Sequence, residues 1–215
     1  NPNFLLGGMV QFDHAQDDAN NASRNGYMVG PYFVAQVPDQ PLFLEGRLLY
    51  GQTDNDISPL DTYTDSFENE RWLAQLRATG EYQVQATTLM PLLDFTYTDD
   101  TQKAYTDSLG NTIPGQTVSL KQLTAGMDFS TPISVSTGAL ELTGGLSGIY
   151  SSTDGGAAAP EFENWRGRTH PGLNYGMASG ATLSATTFYA ASSPHLTPAD
   201  EETKLARGRL RTLKQ

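Results

Sequence analysis

The sequence predicts an all-β protein, an antiparallel up-and-down transmembrane β-barrel. Three observations carry this expectation. Apolar and polar residues alternate with period two almost throughout the 215 residues. The alternating runs are ~10–15 residues long, whereas globular strands average ~5–6 and a tilted spanning strand needs ~9–11. The connections also alternate: long and polar near 14–25, 52–69, 98–116 and 151–161, tight near 37–41, 80–86, 131–137 and 178–181. A barrel whose ends face different compartments has short turns on the periplasmic side and longer loops outside. A soluble sandwich has no reason for that asymmetry.

Nine strands follow in order. The first is 3–13. In 27–37, Tyr27, Val29, Pro31, Phe33, Ala35 and Val37 share one face. In 42–50, Leu42, Leu44, Gly46, Leu48 and Tyr50 lie opposite Glu45 and Arg47. The pattern is sharpest in 71–84, where Trp72, Ala74, Leu76, Ala78, Gly80, Tyr82 and Val84 alternate with Arg71, Gln75, Arg77 and Glu81. The fifth, 86–97, sets Leu89, Pro91, Leu93, Phe95 and Tyr97 against Asp94 and Thr96. In 118–130, Leu123, Ala125, Met127 and Phe129 oppose Gln122, Thr124 and Asp128. Then come 138–150, 162–177 (Trp165, Leu173 and Tyr175 against Arg166, Arg168 and His170) and 181–190. Pro31 and Pro91 strain the reading, because proline removes a ladder hydrogen bond.

Composition is compatible with a membrane barrel. The chain is 38% hydrophobic with mean hydropathy −0.41, and no stretch reaches the ~18–20 apolar residues of a spanning helix. Strands that are apolar only at alternate positions keep the average polar. Cysteine is absent, so there is no disulfide framework or thiolate metal site. A net charge of −11 argues against nucleic acid as a partner. Residues 1–190 hold 8 Lys/Arg against 21 Asp/Glu; residues 191–215 hold 5 against 3. The chain therefore divides into a barrel domain, 1–191, and an atypical basic tail, 192–215, expected as helix or disordered chain. Thr197–Glu202 reads as a helix start. The shift reads as a frameshifted or replaced terminus, or else as a natural soluble tail.

Several phrases resemble the C-terminal β-barrel of bacterial autotransporters (type V secretion). They are Gly30-Pro31-Tyr32-Phe33, Gly46-Arg47-Leu48-Leu49-Tyr50-Gly51, Asn55-Asp56-Ile57-Ser58-Pro59, Glu70-Arg71-Trp72-Leu73-Ala74-Gln75, Ala104-Tyr105-Thr106-Asp107-Ser108-Leu109-Gly110-Asn111 and Gly145-Leu146-Ser147-Gly148. The likeness covers about 1–190. It implies an outer-membrane barrel of twelve strands, with a passenger domain in cis joined by a helix through the lumen. It also implies outer-membrane lipid and the barrel-assembly machinery as partners. By loop parity the nine strands fit numbers three to eleven, so an incomplete barrel is expected. Family members end on a strand with a terminal aromatic residue; this chain ends in Leu213-Lys214-Gln215.

Alternation places Glu45, Arg47, Arg71, Gln75, Arg77, Glu81, Asp128, Glu141, Arg166 and Arg168 on the lumen wall. There, charges of both signs can pair and stay hydrated. The lipid-facing band and its interfacial girdles would comprise Tyr27, Phe33, Leu44, Leu48, Tyr50, Trp72, Leu76, Tyr82, Phe95, Tyr97, Tyr150, Trp165 and Tyr175. A solvated face of a soluble sheet gives the same alternation; strand length and loop parity favour the lumen.

No enzyme is expected. Gly145-Leu146-Ser147-Gly148-Ile149 fails the G-x-S-x-G elbow, and Asp54-Asn55-Asp56 meets Pro59 where a calcium loop needs glycine. His14, His170 and His195 have no shared-ligand spacing, so no cofactor or metal is expected. The competing functions are a passive pore or adhesion barrel and a soluble β-sandwich binding module.

Overall fold

Alternating segments need partners on both edges, and here each finds them in its sequence neighbours. The computed structural model describes residues 3–18, 21–58, 62–136, 138–155, 164–177 and 180–192, and as backbone 209–213. The main strands are β1 (Phe4–Asp17), β2 (Ala22–Gln36), β3 (Leu42–Ile57) and β4 (Asp65–Gly80). A short β5 (Tyr82–Val84) precedes β6 (Thr87–Gln102), and β7 (Tyr105–Thr106) pairs with β8 (Thr112–Ile113) in a separate hairpin. There follow β9 (Gln116–Val135), β10 (Gly138–Asp154), β11 (Trp165–Thr169), β12 (Gly172–Met177), β13 (Thr182–Thr186), β14 (Tyr189–Ser192) and β15 (Arg209–Leu213).

All but the β7–β8 hairpin join one antiparallel meander, in the order β1-β2-β3-β4-β6-β9-β10-β12-β13-β15. Each of the nine expected strands is present. Among the described residues no second sheet packs on this one, so the sandwich alternative lacks its other half.

Three interruptions have a common cause. β11 and β12 share one register against β10, broken at His170-Pro171; β13 and β14 continue it on the far side. β4 and β5 share one register against β6, broken opposite Pro91. Between β2 and β3 the ladder skips from Val29↔Tyr50 to Tyr32↔Arg47, which leaves Gly30-Pro31 facing Leu48-Leu49 unpaired. Pro31 and Pro91 thus sit inside strands and interrupt one flank only. Pro31 still pairs in register with Gly8, and Pro91 with Met127.

Two expectations about the connections change. The stretch 14–25 is not a long loop: β1 and β2 stay paired from Asp13↔Gly26 to Asp17↔Ala22. Much of 52–69 and 98–116 is likewise paired strand, through Ile57↔Asp65 and Gln102↔Gln116. Where water wets both faces, a strand needs no alternation, so these ends read as loops in sequence. The tail also differs: Arg209–Leu213 pairs with β13 from Thr186↔Arg209 to Thr182↔Leu213. The helix start expected at 197–202 and His195 lie outside the described residues.

Curvature follows from one ion pair. Arg71 Nη1 on β4 reaches Asp13 Oδ2 on β1 at 3.3 Å. In a flat sheet, strands three ranks apart are about 14 Å apart, beyond the joint reach of these side chains. The sheet therefore curls, with Asp13 and Arg71 on its concave side.

Candidate functional site: a polar inner wall and an apolar outer band

Register assigns every strand residue to a face. The concave face carries Glu45, Arg47, Arg71, Gln75, Arg77, Asp128, Glu141, Arg166 and Arg168, connected through pairs such as Glu45↔Arg77, Arg77↔Asp94, Asp94↔Thr124, Thr124↔Ile149 and Ile149↔Arg166. Glu81 departs from the expectation. β4 ends at Gly80, and Glu81 lies exposed in the break between β4 and β5, its amide bonded to the Pro41 carbonyl.

The inner wall is organised in tiers. At the upper end, Asp13 lies between Arg24 (3.7 Å) and Arg71, and Arg71 Nε donates to Asp100 at 2.6 Å. Asn69 donates to the same Asp100. In the middle, the buried Asp94 carboxylate accepts from Arg77 Nε (2.8 Å), Gln75 Nε2 (2.6 Å) and Thr96 Oγ1 (2.9 Å). Lower down, Glu141 accepts from Ser130 and from Asn174, and His170 lies 3.4 Å from Asp128 with its ring against Phe188. Asp13, Arg24, Asp94 and Asp100 were missing from the expected wall. Alternation signals Asp94 and Thr96, which oppose Leu93 and Phe95; the pairing needs the register. His14, expected near a loop, stands in β1 with its Nδ1 2.7 Å from Asn25 Oδ1.

Every expected lipid-facing residue falls on the convex face, where large apolar groups are exposed: Leu76 58%, Leu48 47% and Leu146 68%. The aromatics there form two inclined rows. The upper runs Phe12 and Tyr27 (paired), Tyr50 and Trp72 (rings 4.8 Å apart), Tyr97, then Tyr150 and Trp165 (rings 5.0 Å apart). Relative to the ladders it descends steadily. Tyr150 aligns through Leu123, Phe95, Leu76 and Gly46 with Phe33, six positions along β2 from Tyr27. Six residues are about 20 Å along the strands, and the five or six ranks crossed are about 24–29 Å. The strands therefore tilt about 35–40° from the normal to this row, within the range of membrane barrels.

The lower row, Phe4, Tyr82 and Tyr175, descends at the same slope: Phe4 aligns with Ala125, and Tyr175 with Ile133, eight positions on. Eight residues separate Phe4 from Phe12, and ten separate Trp165 from Tyr175. Corrected for tilt, the two rows lie about 21–26 Å apart, against an apolar band of about 25 Å in barrels of this kind. Above the upper row the convex face turns acidic, with Glu68 and Glu70 held by Lys103 at 3.0 and 3.1 Å.

The outer end carries an elaborated connection, 103–115. Tyr105 stacks on Phe67 (ring centroids 5.1 Å), and Ser108 donates to Asp65 through both its amide and its hydroxyl, each at 2.7 Å. Phe67 and Asp65 are concave-face positions of β4, so the hairpin leans inward over the mouth. Burial, with the nearby carboxylates of Asp65 and Asp107, raises the Tyr105 pKa. Asn111, donating from side chain and backbone, lowers that of Asp107.

Among the described residues no cluster of His, Asp and Glu could hold a metal. The chain matches the family model "Autotransporter beta-domain" over residues 1–187. No curated protein matches it in sequence. Among solved structures it is similar to the β domain of the Bordetella autotransporter BrkA: 18% identity, TM-score 0.57, covering 88% of this chain and 77% of that one. It is also similar to the transport unit of the autotransporter AIDA-I from Escherichia coli: 13% identity, TM-score 0.56, covering 89% and 71%. With family, strand tilt and band height in agreement, the chain belongs to the autotransporter β-domain family and is an outer-membrane translocator barrel for a passenger domain.

Proposed function

We propose that the concave wall lines a hydrated passage for a polypeptide joined to this domain in cis, while the convex band between the aromatic rows anchors it in outer-membrane lipid. The observation that carries this is the pair of parallel aromatic rows with opposite chemistry behind them. Large apolar groups face outward between the rows, and hydrogen-bonded Arg, Asp, Gln and Glu face inward over the same height. The mechanism is one of placement and needs no bond chemistry. Closed pairing satisfies backbone groups that would cost several kcal/mol each in hydrocarbon, and the paired inner charges keep the path polar. The barrel-assembly machinery is the partner that would insert it, acting on the sheet as it closes.

Quenching of Trp72 and Trp165 by brominated lipids in vesicles tests the placement. Both sit in the upper row, so bromines near the acyl-chain surface should quench both more than bromines near the chain ends. Equal quenching at all depths, or none, would remove the lipid-facing assignment.

A further inference from the structure

Depth within the wall follows from the aromatic rows, and it isolates two arginines. Arg47 lies three residues inward of Tyr50 on β3, and Arg168 three residues inward of Trp165 on β11. With the tilt above, both are about 8 Å below the upper row, at one level of the bore. Asp94 and Gln75, three residues inward of Tyr97 and Trp72, share that level. β3 and β11 are five ranks apart, and both arginines stand on the concave face of the sheet at this level.

Among the described residues these two guanidinium groups stand apart from the rest of the wall. Arg24, Arg71 and Arg77 each pair with a carboxylate, and Arg166 donates to Ser151 and Gln122. Arg47 and Arg168 make no ion pair or hydrogen bond among the described residues, and Arg47 Nε is sealed from solvent without an acceptor. Arg47 opens into a cavity on the inner wall shared with Tyr32, Glu45, Gln75 and Arg77. Glu45 is one row deeper, and the Arg77 across from it is held by Asp94.

We infer that Arg47 and Arg168 form a clamp for the carboxylates of a polypeptide segment lying in the bore, so that the segment at this depth is acidic. The inference rests on the reading of the concave wall as a polypeptide passage. Guanidinium groups take carboxylates through paired N–H donors, and two of them at one level of the concave face can hold neighbouring acidic side chains of an extended or helical segment.

The test is the conductance of the refolded chain in planar lipid bilayers, with oligoglutamate, oligolysine or acetate added. Oligoglutamate should block the current. The double substitution Arg47→Gln with Arg168→Gln should weaken that block at least about tenfold, and Arg47→Lys with Arg168→Lys should retain most of it. Equal block of the unaltered and Gln-substituted chains overturns the clamp, as does equal block by oligolysine or by acetate at matched carboxylate concentration. Should the Gln variants fail to fold, the salt dependence of block in the unaltered chain decides. A steep fall with added KCl supports the clamp, and a salt-independent block refutes it. Where the nine strands do not close into a conducting barrel, binding of fluorescent oligoglutamate to the refolded chain in detergent decides: binding lost in the Gln variant supports the clamp, equal binding by both chains overturns it, and binding of neither oligoglutamate nor oligolysine overturns the passage reading itself.

Discussion

Replacing Leu76 with arginine puts the two faces of the wall to a direct test. Leu76 is 58% exposed on the convex face of β4, four residues inward of Trp72. That is about 10 Å below the upper aromatic row and close to the middle of the apolar band. An arginine at mid-bilayer on a lipid face costs about 2–4 kcal/mol, falling to about 0–1 near an interface. Leu76→Arg should therefore lower the folded-to-unfolded ratio by a factor of about 30–1000. Gln75→Arg, one residue away on the concave face, should cost under about 1 kcal/mol, and Trp72→Arg should lose packing but little from depth. Reversible denaturant unfolding in lipid vesicles, followed by heat-shifted gel mobility, reads all three. Equal losses at positions 75 and 76 would refute the assignment of faces, and with it the tilt and band height derived from the aromatic rows.

Three further outcomes are expected. Asp94→Ala strands donors from Arg77, Gln75 and Thr96; because Arg77 is 42% exposed and can turn to water, denaturant unfolding should show a loss of about 1–3 kcal/mol rather than the larger cost of breaking a fully buried pair. Gly46→Val drives a side chain into the Phe33 ring that lies over it and should cost about 1–3 kcal/mol in the same assay; pairing it with Phe33→Ala should recover part of that, and additive losses would show that the two do not touch. The Asp107 carboxyl is held below its ordinary 3.8 by donation from Asn111, so it steadies the hairpin turn above the ordinary value and loses that contribution as pH falls through its own lowered pKa. Protection factors of the Leu109 and Asn111 amides, corrected for the intrinsic pH dependence of exchange, should fall on acidification, and Asp107→Asn should abolish that pH dependence.

Face assignment was legible in the sequence because it depends only on period two. Trp72 against Arg71, or Leu48 against Arg47, needs no knowledge of neighbours, and register leaves all of these where alternation put them. Pairing was not legible. Nothing local joins Asp13 to Arg71 across three strands, or Asp94 to Gln75, so the wall could be listed but its tiers could not. Glu81 shows where periodicity overreaches: the parity is right, but the strand stops at Gly80, where Pro91 ends the β4–β6 ladder. The polar stretches 14–25 and 52–69 show the opposite error. Alternation reports contrast between two environments, and a strand standing in water on both sides has none to report, although its backbone pairs as fully as the rest.

The two prolines bring these threads together. A proline in a membrane-spanning strand removes a donor where lipid offers no substitute. The odd-numbered end of β2 turns toward β3, as Val37 N–H donates to the Leu42 carbonyl, while Gln36 N–H donates to Asn3 on the β1 side. Pro31 therefore has its nitrogen toward Leu48, and the unpaired stretch lies on that flank only. The gap does not open to lipid. Leu49, on the concave side of it, is fully buried, and Pro31 itself lines an apolar groove on the convex side with Leu6, Leu48 and Phe95. Side chains close over both faces of the missing rung. The wall is thus sealed by packing where it cannot be sealed by hydrogen bonds, and the polar wall of Arg47 and Gln75 can stand directly behind an apolar surface that carries no charge.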